Sequence, residues 1–355
     1  MIEDLLNLVR PEIKTLKAYS SARREHAGQG IYLNANENPY PKTSQASVNR
    51  YPQPQPEALR QRLANLYDIN PSHILMTRGS DEGIDLWLRA FCTAGKDAIM
   101  ICPPTYDMYA LSAEIQNASV ISVPLLPDNF ALDVKSMMAA WQPHCKLIFL
   151  CSPNNPTGNV YHVDDMLAIC EQLKNKAVVI VDEAYIEFAD QPSMSKYLEQ
   201  YPNLAILRTL SKAYGMAGAR CGVILAHPKL IQILEKVISP YPLASPVIEL
   251  ILQELQADKL TQVQTQIKTL RHARDEFVGF LKKLPYVEKV WASDANFILF
   301  KVKDAQALIT HCTAHNIIIR DRSFMFHLNN CVRISMGLPE ENAKLMQLME
   351  AFSVE

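Results

Sequence analysis

The central part of the chain alternates between short apolar runs and segments with helical spacing. Six runs predict β-strands, and several of them are apolar at nearly every position: residues 73–80, 97–106, 119–125, 146–152, 177–185 and 203–211. Runs that are apolar on both faces are typical of a buried parallel sheet. Because helical segments separate the runs, the pattern predicts an α/β domain with a mainly parallel sheet flanked by helices.

The two ends of the chain follow other patterns. Residues 1–56 are rich in turn formers and carry five prolines from position 39 onward, so we expect a largely irregular arm that lies over a surface. An amphipathic helix is predicted over 271–284, and the strands and helices after it indicate a smaller α+β domain. We therefore predict three parts: an N-terminal arm over 1–50, a large domain over 51–285 and a small C-terminal domain over 286–355.

The composition narrows the possible classes of protein. The 355 residues include 35 basic and 37 acidic side chains, a formal net charge of −2, so no general field attracts nucleic acid or anionic membranes. Hydrophobic residues make up 48% and charged residues 20%, the balance of an ordinary soluble globular protein. The sequence contains no apolar run long enough to span a membrane. We expect small-molecule partners, with no nucleic acid and no membrane.

The cysteines indicate the compartment. The eight cysteines form no C-x-x-C pair, and several lie inside apolar runs. Buried free thiols in a reducing environment explain this pattern. The N-terminus has early acidic residues and no long apolar segment, so we expect no secretory signal. The expected location is the cytoplasm.

Polar residues capable of chemistry follow five of the six predicted strands. Ligands of open parallel sheets bind beyond the carboxyl ends of the strands, so we expect these residues to meet in one crevice. In chain order they are Ser80 and Asp81, then Tyr106, then Asn155 within SPNNPTG, then Asp182 and Tyr185, and finally Ser211 and Lys212. Because all of these residues follow strand ends, they are stronger evidence for a ligand site as a set than singly.

The set provides a carboxylate, a lysine, phenols, an amide and a phosphate cradle. A phosphate could lie at the start of the helix predicted directly after Ser80, with Ser211 and Arg220 beside it, because a helix start presents free N–H groups. Lys212 beside an aldehyde can form a Schiff base. Asp182 facing a pyridine nitrogen would keep it protonated and make the ring an electron sink. These are the requirements of pyridoxal 5′-phosphate.

Each member of the set has a simpler interpretation when taken alone. Asp182 could be a solvated acid at a strand end, Lys212 a surface lysine, and SPNNPTG only a turn. One shared ligand explains the whole set, whereas the simpler interpretation needs a separate coincidence at every strand end. His311 and His315 are spaced to share a helix face, but no third ligand is evident, so we predict no metal site.

Several longer segments strengthen this interpretation: RGSDEGIDL (78–86), CPPTYDMY (102–109), CSPNNPTG (151–158), VDEAYIEF (181–188), LRTLSKAYGMAGARCG (207–222) and VRISMG (332–337). With these segments the chain resembles the fold-type-I, pyridoxal-phosphate-dependent aminotransferases over nearly its whole length. Three further segments are LNANENPY (33–40), NRYPQPQP (49–56) and PYPLASP (240–246). With these three segments the chain resembles the branch of that family whose members transfer the amino group of a phosphorylated amino alcohol to 2-oxoglutarate.

The resemblance implies a role for each cofactor-binding position. Lys212 would carry the cofactor and move the proton, and Asp182 would pair with the ring nitrogen. Asn155 and Tyr185 would bind the phenolic oxygen of the ring, and Tyr106 would stack on the ring face. The residues implied for the phosphate are Ser80, Asp81, Ser211 and Arg220. Catalysis would fall to Lys212, Asp182 and Tyr185.

The resemblance also implies a homodimer with shared active sites. Tyr51 matches a family tyrosine that reaches the cofactor phosphate of the neighbouring subunit, which would make the N-terminal arm a dimer contact. The residues implied for the substrates are Tyr19, Asn36, Glu37, Arg320 and Arg333. Arginine suits both substrates, because its guanidinium can bind a carboxylate or a phosphate through two parallel hydrogen bonds.

Some alternatives stay open at the level of the sequence. Arg320 could form a surface ion pair with Asp321 or Glu340 instead of binding substrate. The chain carries Asp107 where the family often has glycine, which could alter the loop that holds Tyr106. Alternative activities with the same cofactor are an aromatic-amino-acid aminotransferase and a phosphothreonine decarboxylase. A non-catalytic cofactor-binding module is a rival of another class.

Overall fold

The computed structural model describes residues 2–19, 30–42 and 48–353 and contains two β-sheets with separate cores. The rest of the predicted N-terminal arm lies outside the described residues. The strands of the larger sheet are β1 (Ile74–Thr77), β2 (Ala98–Ile101), β3 (Ser119–Ser122), β4 (Cys145–Cys151), β5 (Val178–Asp182), β6 (Leu204–Thr209) and β7 (Gly222–Ala226).

The larger sheet is parallel except at one strand. Its order is β1-β7-β6-β5-β4-β2-β3, and β7 is antiparallel to both of its neighbours. All other neighbouring pairs are parallel. The predicted α/β fold with a mainly parallel sheet is confirmed.

Strand β7 is not among the six predicted strands, although its residues are apolar and buried. It follows β6 through a connection without an α-helix, which an antiparallel neighbour permits and a parallel one does not. Because β7 reverses direction between β6 and β1, these two strands point the same way. The carboxyl ends of all five strands that carry polar residues therefore lie at one edge of the sheet.

Helices cover both faces of the larger sheet, and successive residues of β5 belong alternately to the two cores. Helices on one face are α3 (Glu57–Tyr67), α6 (Val134–Ala140), α7 (Val163–Gln172) and α9 (Ser245–Glu254). Helices on the other face are α1 (Ile2–Leu6), α2 (Pro11–Thr15), α4 (Gly79–Phe91), α5 (Met108–Ile115) and α8 (Pro228–Leu234).

The first residues of the N-terminal arm differ from the predicted irregular structure, whereas the described residues 30–42 and 48–56 contain no helix or strand, as predicted. Helices α1 and α2 are present, and Leu5 and Val9 are buried in the core of the larger sheet. The backbone N–H of Arg10 also donates to the carbonyl of Ala90 at 3.0 Å. The turn formers that motivated the prediction lie further along the chain, so they do not describe these first residues.

The smaller sheet is antiparallel throughout, in the order β10-β11-β9-β8. Its strands are β8 (Val287–Val290), β9 (Phe297–Val302), β10 (Arg320–Asp321) and β11 (Cys331–Ser335), and its helices are α10 (Ala257–Leu281), α11 (Ala305–Ala314) and α12 (Pro339–Glu350). Phe277, Leu308 and Leu345 share its core. This is the predicted α+β arrangement, and the boundary near residue 285 stays a prediction.

Two further observations concern the cysteines and the search for a membrane-spanning helix. All eight cysteines are buried free thiols, as the apolar runs predict. Within the described ranges, we find no helix with the length and apolar character that crossing a bilayer requires.

Candidate active site

A cavity of about 430 Å³ lies where the carboxyl ends of the five strands meet the smaller sheet. It brings together eleven of the predicted site residues: Ser80, Asp81, Tyr106, Asn155, Asp182, Tyr185, Ser211, Lys212, Arg220, Arg320 and Arg333. The larger sheet supplies the first nine from its strand ends and the loops that follow them. The smaller sheet supplies the two arginines, so the cavity is built from both sheets.

Asp182 is a buried carboxylate at the end of β5, with 2% of its surface exposed. Tyr109 Oη donates to its Oδ2 at 2.8 Å, and the backbone N–H of Ala184 donates to its Oδ1 at 3.1 Å. Burial raises the pKa of Asp182 to about 6, against the opposing effect of these two hydrogen bonds. The carboxylate is therefore ionised at neutral pH, although both donors are electrically neutral.

Lys212 follows β6 and opens to the cavity. Partial desolvation lowers the pKa of its ammonium group, and the nearby charge of Arg333 lowers it further. Its Nζ lies 5.4 Å from the centre of the Tyr185 ring. A lysine with a lowered pKa reaches its neutral form, which is the nucleophile and the base, more readily than a free lysine.

The two predicted tyrosines form aromatic walls of the cavity. Tyr106 Oη donates to Asp81 Oδ1 at 3.0 Å, which fixes the ring at the cavity edge. Tyr185 packs edge-on against Phe297, with ring centres 5.1 Å apart. Helix α5 begins directly after Asp107, and Tyr106 lines the cavity with this aspartate in place.

A helix start reaches the cavity beside the strand ends. Helix α4 begins at Gly79, two residues before the predicted start, and no side chain caps it. Arg220 Nη2 lies 3.4 Å from Asp81 Oδ2 at the same place. Uncapped N–H groups next to a guanidinium form a site that suits a phosphate.

Two glycines allow this close approach. Gly79 has a φ of +80°, and a Cβ there would lie 2.7 Å from Arg220 Nη2. A Cβ on Gly222, the first residue of β7, would lie 2.3 Å from the carbonyl carbon of Gly79 and 2.5 Å from the backbone nitrogen of Ser80. Strand β7 therefore packs directly on the helix start, and only glycine fits at 222.

We expect the substitution Gly222→Ala to lower the free energy of unfolding by about 2 kcal/mol or more, because the methyl group meets backbone that cannot move aside. Displacement of the helix start should also weaken binding of a phosphate there. Urea unfolding and phosphate titration of the cofactor-free protein would measure the two effects. Gly218→Ala is the control, since a Cβ at Gly218 has open space around it. Equal stability of the two variants would contradict the packing argument.

The arginines of the smaller sheet enter the cavity from the opposite side. Arg320 of β10 pairs in register with Arg333 of β11. Arg333 donates to the side-chain oxygen of Asn155, and burial lowers the pKa of its guanidinium. Among the residues that the structure describes, Arg320 forms no ion pair with Asp321 or Glu340, so the simpler interpretation of this arginine has no support.

Four predicted residues lie outside this cavity. Asn36, Glu37 and Tyr51 line a separate depression, where Glu37 accepts hydrogen bonds from the backbone of Tyr51 at 2.6 Å and from Arg50 at 2.8 Å. The Tyr51 ring stacks on another tyrosine with ring centres 4.5 Å apart. Tyr19 lines a third, small depression. A single chain therefore does not bring these four residues to the strand ends.

Two further residues of the site are not among those that the sequence singles out. Tyr109 is fully buried and donates to Asp182, and it lies three residues after Tyr106 in the chain. Arg322 lies two residues after Arg320, so an extended backbone places both side chains on one face.

The two histidines considered for a metal site, His311 and His315, have ring centres 4.8 Å apart. Within the described ranges, no three His, Cys, Asp or Glu residues are placed to hold a metal.

The cavity combines an amine, a buried carboxylate, an open helix start and a group of arginines. A family model described as aminotransferase class I and II matches residues 28–349. The chain belongs to this family and is an aminotransferase.

More specific relatives are known from sequence. "Histidinol-phosphate aminotransferase 2" of Idiomarina loihiensis is 44% identical over 97% of this chain and 98% of its own length. The histidinol-phosphate aminotransferase of Escherichia coli strain K12 is 40% identical over 99% of both chains. The solved structure of histidinol-phosphate aminotransferase from Sinorhizobium meliloti in complex with pyridoxal-5′-phosphate covers 96% of this chain and 97% of its own, with a TM-score of 0.77. At 21% identity, the last similarity shows the fold alone.

Proposed function

We propose that the chain transfers the amino group of L-histidinol phosphate to 2-oxoglutarate with pyridoxal 5′-phosphate as cofactor, as a step of histidine biosynthesis. The observation that carries the proposal is the cavity itself, which combines Lys212, the buried Asp182 and an uncapped helix start with arginines on the opposite wall. The names of the relatives at 40–44% identity supply the substrate.

The residues of the cavity fit the cofactor chemically. Asp182 is a buried carboxylate whose hydrogen-bond donors are both neutral, so a protonated ring nitrogen would supply the missing positive charge. The start of α4 with Ser80, Ser211 and Arg220 would hold the phosphate. Asn155 and Tyr185 would bind the phenolic oxygen, and Tyr106 would face the ring. When bound, the cofactor supplies an electron sink for the carbon that loses its proton.

The protein's own groups then control charge and proton position. The lowered pKa of Lys212 favours a neutral amine at Nζ, which can accept a proton and return it. Tyr109 keeps the carboxylate of Asp182 oriented through its hydrogen bond to Oδ2. The arginines of the smaller sheet orient the anionic ends of the substrates, since both substrates carry such ends.

The assembly is part of the proposal. Asn36, Glu37 and Tyr51 would serve the cavity of a second copy of the chain, which requires a homodimer with shared active sites. Their position in a separate depression of their own chain supports this arrangement. Tyr19 would belong to the same set. The free buried cysteines support a cytoplasmic location.

The test of the function is a comparison of amino donors. Purified protein with pyridoxal 5′-phosphate should show a visible absorbance that shifts when histidinol phosphate is added, and it should form glutamate from 2-oxoglutarate. Faster turnover of phenylalanine would favour an aromatic-amino-acid aminotransferase, and carbon dioxide release from phosphothreonine would favour a decarboxylase. A bound cofactor without any amino transfer would indicate the non-catalytic module.

We expect the substitution Arg333→Ala to raise KM for both substrates by roughly tenfold or more, because each loses a charged hydrogen bond. Steady-state kinetics with each substrate in turn would measure the change. Arg89→Ala is the matched control, since Arg89 forms an exposed ion pair with Asp85 at 2.8 Å. If KM changes for neither substrate, Arg333 has a structural role only.

A further inference from the structure

Arg322 is a third arginine of the cavity, and its environment is unusual for a structural residue. It is only 7% exposed and lines the cavity wall. Its Nε is buried without a hydrogen-bond partner among the described residues. Its one ion pair within the described ranges is with Asp107, whose Oδ2 lies 3.7 Å from Nη1. A buried guanidinium with these unused donors is a poor choice for packing alone.

The charges around Arg322 do not balance. Arg320 and Arg333 lie on the paired strands beside it. Burial, together with the charges of these two arginines, lowers the pKa of Arg322 to about 10. Asp107 compensates little, because its side chain is 57% exposed and water screens it. Three guanidinium groups thus face a cavity that Asp81 and Asp182 also line, but among the described residues Asp107 is the one carboxylate that forms an ion pair with any of the three.

An anion is the ligand that relieves this repulsion. A phosphate monoester carries more charge than a single carboxylate and offers three acceptor oxygens, so it can use donors from more than one guanidinium. Asp107 competes with such an anion for Arg322, since both are negatively charged and the aspartate already lies 3.7 Å from the guanidinium. The two residues should therefore affect anion binding in opposite directions.

We propose that Arg322 is a specificity-determining residue that binds the phosphate monoester of the amino donor, and that Asp107 weakens this binding by pairing with Arg322. The proposal deepens the function proposed above and rests on it for the identity of the donor. It distinguishes Arg322 from Arg320 and Arg333, because within the described residues only Arg322 forms an ion pair with a carboxylate of the protein.

The test compares Arg322→Gln with Asp107→Asn in protein loaded with pyridoxal 5′-phosphate, so that the cofactor's own phosphate site is filled. Inorganic phosphate is titrated by calorimetry. We expect Arg322→Gln to weaken phosphate binding by about tenfold or more. We expect Asp107→Asn to tighten it by roughly two- to fivefold. Arg89→Gln is the control and should leave the affinity unchanged.

The decisive result is a change of phosphate affinity in opposite directions in the two variants. If the pair were merely structural, both substitutions would weaken phosphate binding. Unchanged phosphate affinity in Arg322→Gln, or weaker binding in Asp107→Asn, overturns the proposal. If Arg322→Gln does not fold, Arg322→Lys and the Asp107→Asn variant decide in the same way. Arg322→Lys keeps the charge but loses the bidentate geometry. We therefore expect its phosphate affinity to lie between that of the wild type and that of a variant without the charge.

Kinetics separate this proposal from the proposed function. Arg322→Gln should raise KM for histidinol phosphate and leave KM for histidinol, which lacks the phosphate, within about twofold. If neither donor is a substrate while the calorimetric pattern holds, the donor assignment is wrong and the phosphate role of Arg322 stands. If histidinol phosphate is a good substrate and its KM does not change, the role of Arg322 is refuted and the function stands.

Discussion

The substitution Lys212→Ala is expected to reduce turnover by roughly 10⁴-fold, because it removes both the nucleophilic amine and the proton-transferring base of the cavity. The lowered pKa of Lys212 is the physical reason for assigning both roles to one side chain. Single-turnover kinetics and steady-state rates with saturating substrates would measure the loss. The variant should also fail to retain the cofactor on gel filtration, since a covalent attachment point is missing.

Two controls make this experiment specific. Lys229→Ala removes an exposed lysine that pairs with Glu3 at the surface, and it should keep the wild-type rate. Lys212→Arg keeps a positive charge at the cavity but offers no neutral amine, so we expect it to be nearly as inactive as the alanine variant. A Lys212→Ala protein that works near the wild-type rate would refute the assignment of the site.

The parts of the fold that the sequence predicts are those that local pattern determines. Apolar runs and helical spacing identify β1 to β6 and the helices between them. Burial on both faces leaves a continuous apolar signal in these strands except β3, which is a largely exposed edge strand. The place of β7 escapes this reasoning, since it depends on pairing with β1, which is distant in sequence, as well as with β6, which directly precedes it. Helices α1 and α2 are not predicted, because they are short and the proline-rich segment after them dominates the pattern of the N-terminal residues.

The same distinction applies to the site. Asp182 and Lys212 could be predicted because the first ends β5 and the second lies in the loop after β6, and parallel strands end at one edge. Tyr109 and Arg322 could not, because their roles depend on contacts between distant segments. Tyr109 reaches a carboxylate 73 residues away in the chain. Arg322 enters the cavity through the pairing of β10 with β11, and its backbone N–H donates to the carbonyl of Cys331 at 2.9 Å.

Two consecutive carboxylates show how this site differs from the rest of the core. Asp182 and Glu183 are both buried, and burial raises the pKa of each. Glu183 has a cation beside it, because Arg208 Nη1 lies 3.4 Å from its Oε2. Asp182 has only neutral hydrogen-bond donors. Among the described residues, Asp182 therefore has no ion pair of the kind that Glu183 possesses, although the charge of Lys212 acts on it from further away. This is the condition expected of a carboxylate that takes a cationic ligand.

The substitution Asp182→Asn should consequently act in opposite directions on stability and on activity. In the cofactor-free protein, the folded-state pKa of about 6 lies above the usual value of 3.8, so stability is lost as pH rises from about 4 to about 6. Above pH 7 the amide removes this cost, and we expect the variant to gain up to about 3 kcal/mol. With the cofactor bound, turnover should fall by roughly 10³-fold, because a neutral amide cannot hold the ring nitrogen protonated.

Urea unfolding of the cofactor-free proteins between pH 5 and pH 8 would measure the effect on stability. Steady-state kinetics of the proteins loaded with cofactor would measure the effect on turnover. Glu183→Gln is the matched control, because it leaves Arg208 with one fewer carboxylate and should lower stability by about 2 kcal/mol. The stability difference between wild type and Asp182→Asn should grow as pH rises. A difference that stays constant with pH would show that Asp182 is already compensated, and its assignment to a cationic ligand would then be wrong.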